Sequence, residues 1–204
     1  MKPVDILSSE HRVIEIVLEC LDRMVEKIKT GGTLNRSDAQ AAVDFIRNFA
    51  DRCHHGKEED RLFPTLVRKG VPSENGPVGV MLFEHKQGRE FVAGMAEAIE
   101  AFDRGDQDAS EQFALSAEQY VQLLHAHIHK EDMILFPLAN RVMTETDQTD
   151  LLKEFDIVEK EHMGAGTHEK YLKLAESLAQ SYGVDTSAIT QAAVGGSCGC
   201  HHGH

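Results

Sequence analysis

Apolar residues recur along this chain at three- and four-residue spacing, and no segment shows the alternation of a strand. Leu7, Ile14, Leu18 and Val25 form one stripe of a first predicted helix, residues 4–30, closed by Gly31-Gly32. A second is predicted over residues 37–69, where Ser37-Asp38-Ala39-Gln40 has capping-box spacing. A loop at 70–79 holds Pro72 and Pro77, a third helix covers 80–103, and after a break at Gly105-Asp106 a fourth runs over 109–143. A fifth helical region, 150–182, is interrupted at Gly164-Ala165-Gly166. Four long helices with short connections predict an all-α fold: an up-down-up-down four-helix bundle which, with the added C-terminal helical region, spans residues 1–182. From Gly183 the pattern decays. Residues 183–204 read as a flexible tail, and the Cys198, Cys200, His201, His202 and His204 in it give possible metal affinity.

The bulk numbers remove several function classes. At 204 residues the chain is one domain, and 34 acidic against 21 basic residues leave a net charge of −13. That charge argues against binding nucleic acid or anionic membranes. No uncharged apolar run approaches the ~18 residues of a membrane span. The opening MKPVDILSSEHR has no apolar signal-peptide core, and the cysteines form no disulfide framework, so a cytoplasmic location is expected.

The chemistry lies in a duplication. His54 to Pro64 reads HHGKEEDRLFP and His127 to Pro137 reads HIHKEDMILFP, with Arg68 matching Arg141. Each copy is preceded by an echo, Glu10-His11 and Glu84-His85, so that His11 lies 43 residues before His54 and His85 lies 42 before His127. Each unit therefore supplies one histidine, then a His and a Glu at i, i+4, which share a helix face.

Helical phase, at about 100° per residue, turns these groups inward. His11 shares its face with Leu7, Ile14 and Leu18; His85 with Val78, Met81, Val92 and Ile99. His127 and Glu131 fall among Phe113, Tyr120, Leu124, Ile134 and Leu138, whereas His125 and His129 fall on a polar face. On the second helix the stripe Ala42, Ile46, Phe49 and Cys53 is centred to one side of His54, which is still nearer to it than His55. Pro64 and Pro137 are interior prolines, six residues after Glu58 and Glu131, and are expected to bend their helices. Burying two carboxylates among neutral partners is costly, and a pair of divalent cations is the simplest compensation.

These residues resemble the hemerythrin-like, or HHE cation-binding, family in its bacterial H-x-x-x-E form, over about residues 3 to 145. The resemblance implies a non-haem di-iron centre with an oxo or hydroxo bridge, held by His11, His54, Glu58, His85, His127 and Glu131, the two glutamates bridging both irons. It implies a small ligand such as dioxygen, nitric oxide or peroxide, with the protein acting as an oxygen or redox sensor or binder. A redox enzyme removing nitric oxide or peroxide with an electron-donor protein, and an iron donor, are the alternatives. Oxygen-carrying hemerythrins have a fifth histidine from an H-x-x-x-H on the third helix. Here Arg89 follows His85 by four residues, so the second iron is expected to be open, unless His162 of the third Glu-His echo supplies a nitrogen. Glu59 and Asp132 are expected as outer acids around the site or as solvated groups.

Overall fold

The structure, a computed structural model, describes residues 1–159 and 167–189; no strand occurs among them. Helix α1 is Pro3–Lys29. Helix α2 is one rod over residues 36–68: α-helical at Arg36–Phe45, π-helical at Ile46–His55 and Glu58–Leu62, and α-helical again at Phe63–Arg68. Helix α3 is Pro77–Asp103. Helix α4, residues 109–142, is α-helical at Ala109–Lys130, π-helical at Glu131–Leu135 and α-helical at Phe136–Val142. Helices α5, Glu145–Val158, and α6, Thr167–Tyr182, follow. The tail residues 190–204 and His162 lie outside the described residues.

Two helix starts differ from the sequence expectation. The cap of α2 is Asn35, not Ser37: its side-chain oxygen accepts the Asp38 backbone N–H at 3.3 Å. Helix α5 begins before residue 150 because Thr144 and Asp147 form a capping box, the Asp147 carboxylate accepting the Thr144 N–H at 2.7 Å.

The apolar core falls into two clusters. The larger joins α1 from Val13 onward, α2 up to Ala50, α3 from Val92 onward, α4 up to Ile128, and the buried face of α6; Val184 and Ile189 also pack there. The smaller gathers Val4 and Leu7 from the start of α1 and Val78 and Met81 from the start of α3. To these it adds Leu62, Phe63 and Leu66 near the end of α2, Leu135, Phe136 and Ala139 near the end of α4, and Leu151 and Phe155 of α5. The inward-facing histidines and glutamates lie where these sets meet on every long helix, His127 beside Ile128 at the edge of the larger one. The site is thus a polar layer sandwiched between apolar ones.

The prolines act through helix width. A proline ring presses on the carbonyl four residues back, here Asp60 and Met133. In both copies the preceding turn is opened to an i→i+5 pattern: the Phe63 N–H donates to the Glu58 carbonyl and the Phe136 N–H to the Glu131 carbonyl. The extra residue in the turn shifts everything after it. Ile134, which an uninterrupted α phase turns inward, is 57% exposed, and Leu135 takes its place at 1%. Leu62 is buried in the matching position of α2.

This shift is testable in urea denaturation. Leu135→Ala should lower the unfolding free energy by about 2–5 kcal/mol, and Ile134→Ser should change it by no more than about 0.5 kcal/mol. The reverse ranking would restore an unbroken α-helical register.

Candidate metal centre

Seven ionisable side chains meet in the polar layer, all buried: His11 from α1, His54, His55 and Glu58 from α2, His85 from α3, and His127 and Glu131 from α4. Glu58 faces both halves, with Oε1 3.7 Å from His54 Nε2 and Oε2 3.5 Å from His85 Nε2. Glu131 spans them through one oxygen, Oε2, which lies 3.1 Å from His11 Nε2 and 3.3 Å from His127 Nε2. The Nε2 atoms of His85 and His127 are 3.1 Å apart.

The outer ring nitrogens are all engaged. His54 Nδ1 is 2.9 Å from Glu10 on α1, and His85 Nδ1 is 2.7 Å from Glu59 on α2. His127 Nδ1 is 2.9 Å from Glu84 on α3, and His11 Nδ1 is 2.9 Å from Asp132 on α4. Each long helix therefore orients the histidine of the next, and the series closes from α4 back onto α1. A carboxylate only accepts, so each Nδ1 carries the hydrogen. Burial first holds His54 and His85 below the ordinary histidine value, so their Nε2 atoms present lone pairs inward. Burial works against the charge of His11 and His127 too, but the acids around them outweigh it and raise both, His127 to about 9, so that in metal-free protein their Nε2 atoms face Glu131 protonated. The outer acids are themselves held by cations: Lys57 on Glu10, Lys130 on Glu84, Arg12 on Asp132 and Arg89 on Glu59. Lys57 is fully buried and also meets Glu159 at 2.6 Å. Burial works against its charge, but Glu10 above all keeps the ammonium above the usual lysine range.

Around Glu58 acceptors therefore face acceptors: His54 and His85 turn bare nitrogens toward its carboxyl. His11 Nε2 and all four carboxylate oxygens of Glu58 and Glu131 lack a hydrogen-bond partner. Burial first, then the Glu131 charge, pushes the Glu58 carboxyl well up. Burial also opposes ionisation of Glu131, but His127 and His11 outweigh it and hold that carboxyl well down. Inward ring nitrogens around two orphaned carboxylates fit metal ions, which would replace the protons on His11 and His127, the donors dividing into His11, His54, Glu58 and Glu131 on one side and His55, Glu58, His85 and His127 on the other. A further acid–histidine grouping, Glu10, Glu159 and His168, surrounds Lys57, whose ammonium already contacts both acids.

The Hemerythrin HHE cation binding domain pattern matches residues 2–139. The chain belongs to this family. Three curated relatives are similar over most of its length: the uncharacterized proteins Rv1995 and MT2051 of Mycobacterium tuberculosis and Mb2018 of Mycobacterium bovis. Each is 23% identical over 185 residues, covering 90% of this chain and 72% of the relative. No solved structure matches.

Within this HHE chain the six residues singled out from the sequence all converge, while His125 and His129 are exposed. His55 is the one that periodicity missed. The ten-residue π segment Ile46–His55 turns less per residue than an α-helix, so neighbouring His54 and His55 both reach the interior. His55 stacks on His85 with ring centroids 3.8 Å apart, and its Nδ1 is 3.3 Å from Asp51. Its sequence signal is Asp51 at i−4. In the duplicated copy the matching residues are Leu124 and Ile128, so the two halves differ here. A fifth imidazole thus reaches the layer from α2 rather than from the third helix, where Arg89 follows His85 by four residues. Arg89 instead binds Asp51 and Glu59, the acids that hold His55 and His85.

In metal-free protein the raised Glu58 carboxyl favours protonation in the fold. Its contribution to stability is full below the ordinary value of 4.5 and is lost as pH rises above it. Glu58→Gln should remove that dependence and, in chelator at neutral pH, stabilise the protein by roughly 1–3 kcal/mol. Thermal unfolding across pH measures it; a destabilised variant in chelator at neutral pH would show that the orphaned carboxylate is already compensated.

Proposed function

We propose that this chain is a non-haem di-iron protein that binds a small diatomic or peroxide, dioxygen, nitric oxide or hydrogen peroxide, as an oxygen or redox sensor or binder. The observation that carries the reading is the closed set of imidazoles pinned at Nδ1 around two orphaned glutamates. His11 and His54 would hold one iron and His85 and His127 the other, with Glu58 and Glu131 shared between them and His55 available on the second side. Bound iron would supply a Lewis-acidic, redox-active centre that takes a small ligand. The chain's own part is to present neutral nitrogens, to contribute only two negative charges, and to keep water out with the apolar clusters on either side.

The up-down-up-down arrangement belongs to the same reading. It is supported by the way the smaller cluster joins the starts of α1 and α3 to the ends of α2 and α4. No helix among the described residues is long and apolar enough to cross a membrane, and we place the protein in the cytoplasm, served by an electron-donor protein. Redox removal of nitric oxide or peroxide at the same centre is the second reading, favoured by Arg89 standing where the oxygen carriers of the family have a histidine. The metal-transfer reading rests on the Cys198 and Cys200 segment, outside the described residues.

Elemental analysis should find about two irons per chain. His127→Ala or Glu131→Ala should lose them and lower thermal stability, and His125→Ala or His129→Ala should do neither. Cycling the ferrous protein through dioxygen and its removal separates binder from enzyme. Full return of the starting spectrum supports binding, and a permanent change supports turnover. One zinc per chain, lost with His125 or His129, would sink the di-iron reading.

A further inference from the structure

A cavity of about 120 Å³ lies between α2 and α3 and ends on the centre. Its inner end is His55 and His85, its walls include Ile46, Gly88, Val92 and Tyr120, and its outer rim holds Arg47, Ala93 and Arg89. His55, His85, Ile46, Val92 and Tyr120 are buried, whereas Arg47, Arg89 and Ala93 are exposed, so the space runs from solvent to the histidine layer. Its size is close to that of apolar cavities, ~150 Å³, that accept xenon or benzene. No counterpart is expected from the duplication, since the positions of Asp51 and His55 are Leu124 and Ile128 in the second copy.

We propose that this cavity is the route by which a small uncharged gas reaches the His55 and His85 side of the centre, and that Gly88 sets its width. The proposal rests on the di-iron reading above. The walls are hydrocarbon, a tyrosine ring and the Asp51 carboxylate, which is already paired with His55 and Arg89; an apolar solute is favoured there over an anion. Of the two arginines at the rim, Arg89 is committed to Asp51 and Glu59, and Arg47 is exposed. Gly88 is a wall position that can be changed without rebuilding the core. A Cβ there would lie 3.6 Å from Leu124 Cδ2 and 3.6 Å from Tyr120 Cε2, ordinary contact distances, so alanine fits the helix packing while occupying space at the wall. Val92 lies one turn further along α3, and shortening it widens the same passage.

The test has two arms on the full chain. In metal-free protein, xenon under pressure should shift the methyl resonances of Ile46 and Val92. Gly88→Ala should weaken xenon binding about tenfold, and Val92→Ala should strengthen it. In iron-loaded protein, stopped-flow mixing with nitric oxide should show the on-rate falling about tenfold in Gly88→Ala and rising in Val92→Ala, with iron content and helicity unchanged. Xenon that responds elsewhere in the protein, or nitric oxide rates equal in all three proteins, would overturn the route and leave the metal-centre reading standing. Iron-loaded wild-type protein that takes up no nitric oxide and no dioxygen would overturn both.

Discussion

Two carboxylates, Glu58 and Glu131, share a buried space in which none of their four oxygens has a well-formed hydrogen bond. Two adjacent anions away from water cannot both remain charged without a compensating cation, because each loses its hydration and repels the other. Everything else in the layer follows from that constraint. The imidazoles turn their Nε2 atoms toward the same space, and the acids behind them are in turn held by Lys57, Lys130, Arg12 and Arg89. Charge alternates outward from the centre: acid, imidazole, acid, base. Apolar clusters above and below keep the innermost acids from finding water.

The duplication shapes this arrangement and also breaks it in one place. Lys57 and Lys130 occupy matching positions, and so do Glu10 and Glu84. Of the two lysines only Lys57 gains a second acid, Glu159, from just beyond α5, which ties the C-terminal helical region to the first half-site. Only the first copy carries the long π segment that brings His55 in. The centre therefore has two nearly equivalent halves with different flanks, one reached by a cavity past Gly88 and Val92.

Much of this was legible in the sequence because it depends on type and spacing alone. The repeated His-x-x-x-Glu, the two earlier histidines and the inward stripes around His11 and His85 needed only helical geometry. What escaped depended on departures from a regular helix. Ile134 and Leu135 exchange roles because one turn gains a residue ahead of Pro137, and His55 enters because a longer stretch of α2 is underwound. The roles of Glu10 and Glu84 were hidden for another reason. Each serves a histidine on the following helix, a contact across the bundle that no spacing along the chain reveals. The Asn35 cap was missed because Ser37 offered an equally good local pattern two residues later.

The closed ring of helices orienting one another's histidines has a consequence for assembly. Every long helix both carries a histidine and aims another, so displacing any one of them disturbs two imidazoles at once. Three docked helices do not leave three-quarters of a site; they leave an open chain in which one histidine is missing and another has lost its anchor. The centre is in this sense a lock with a single closed position. Its capacity to hold a cation reports on the whole bundle, and a cation bound there clasps the first helix to the last.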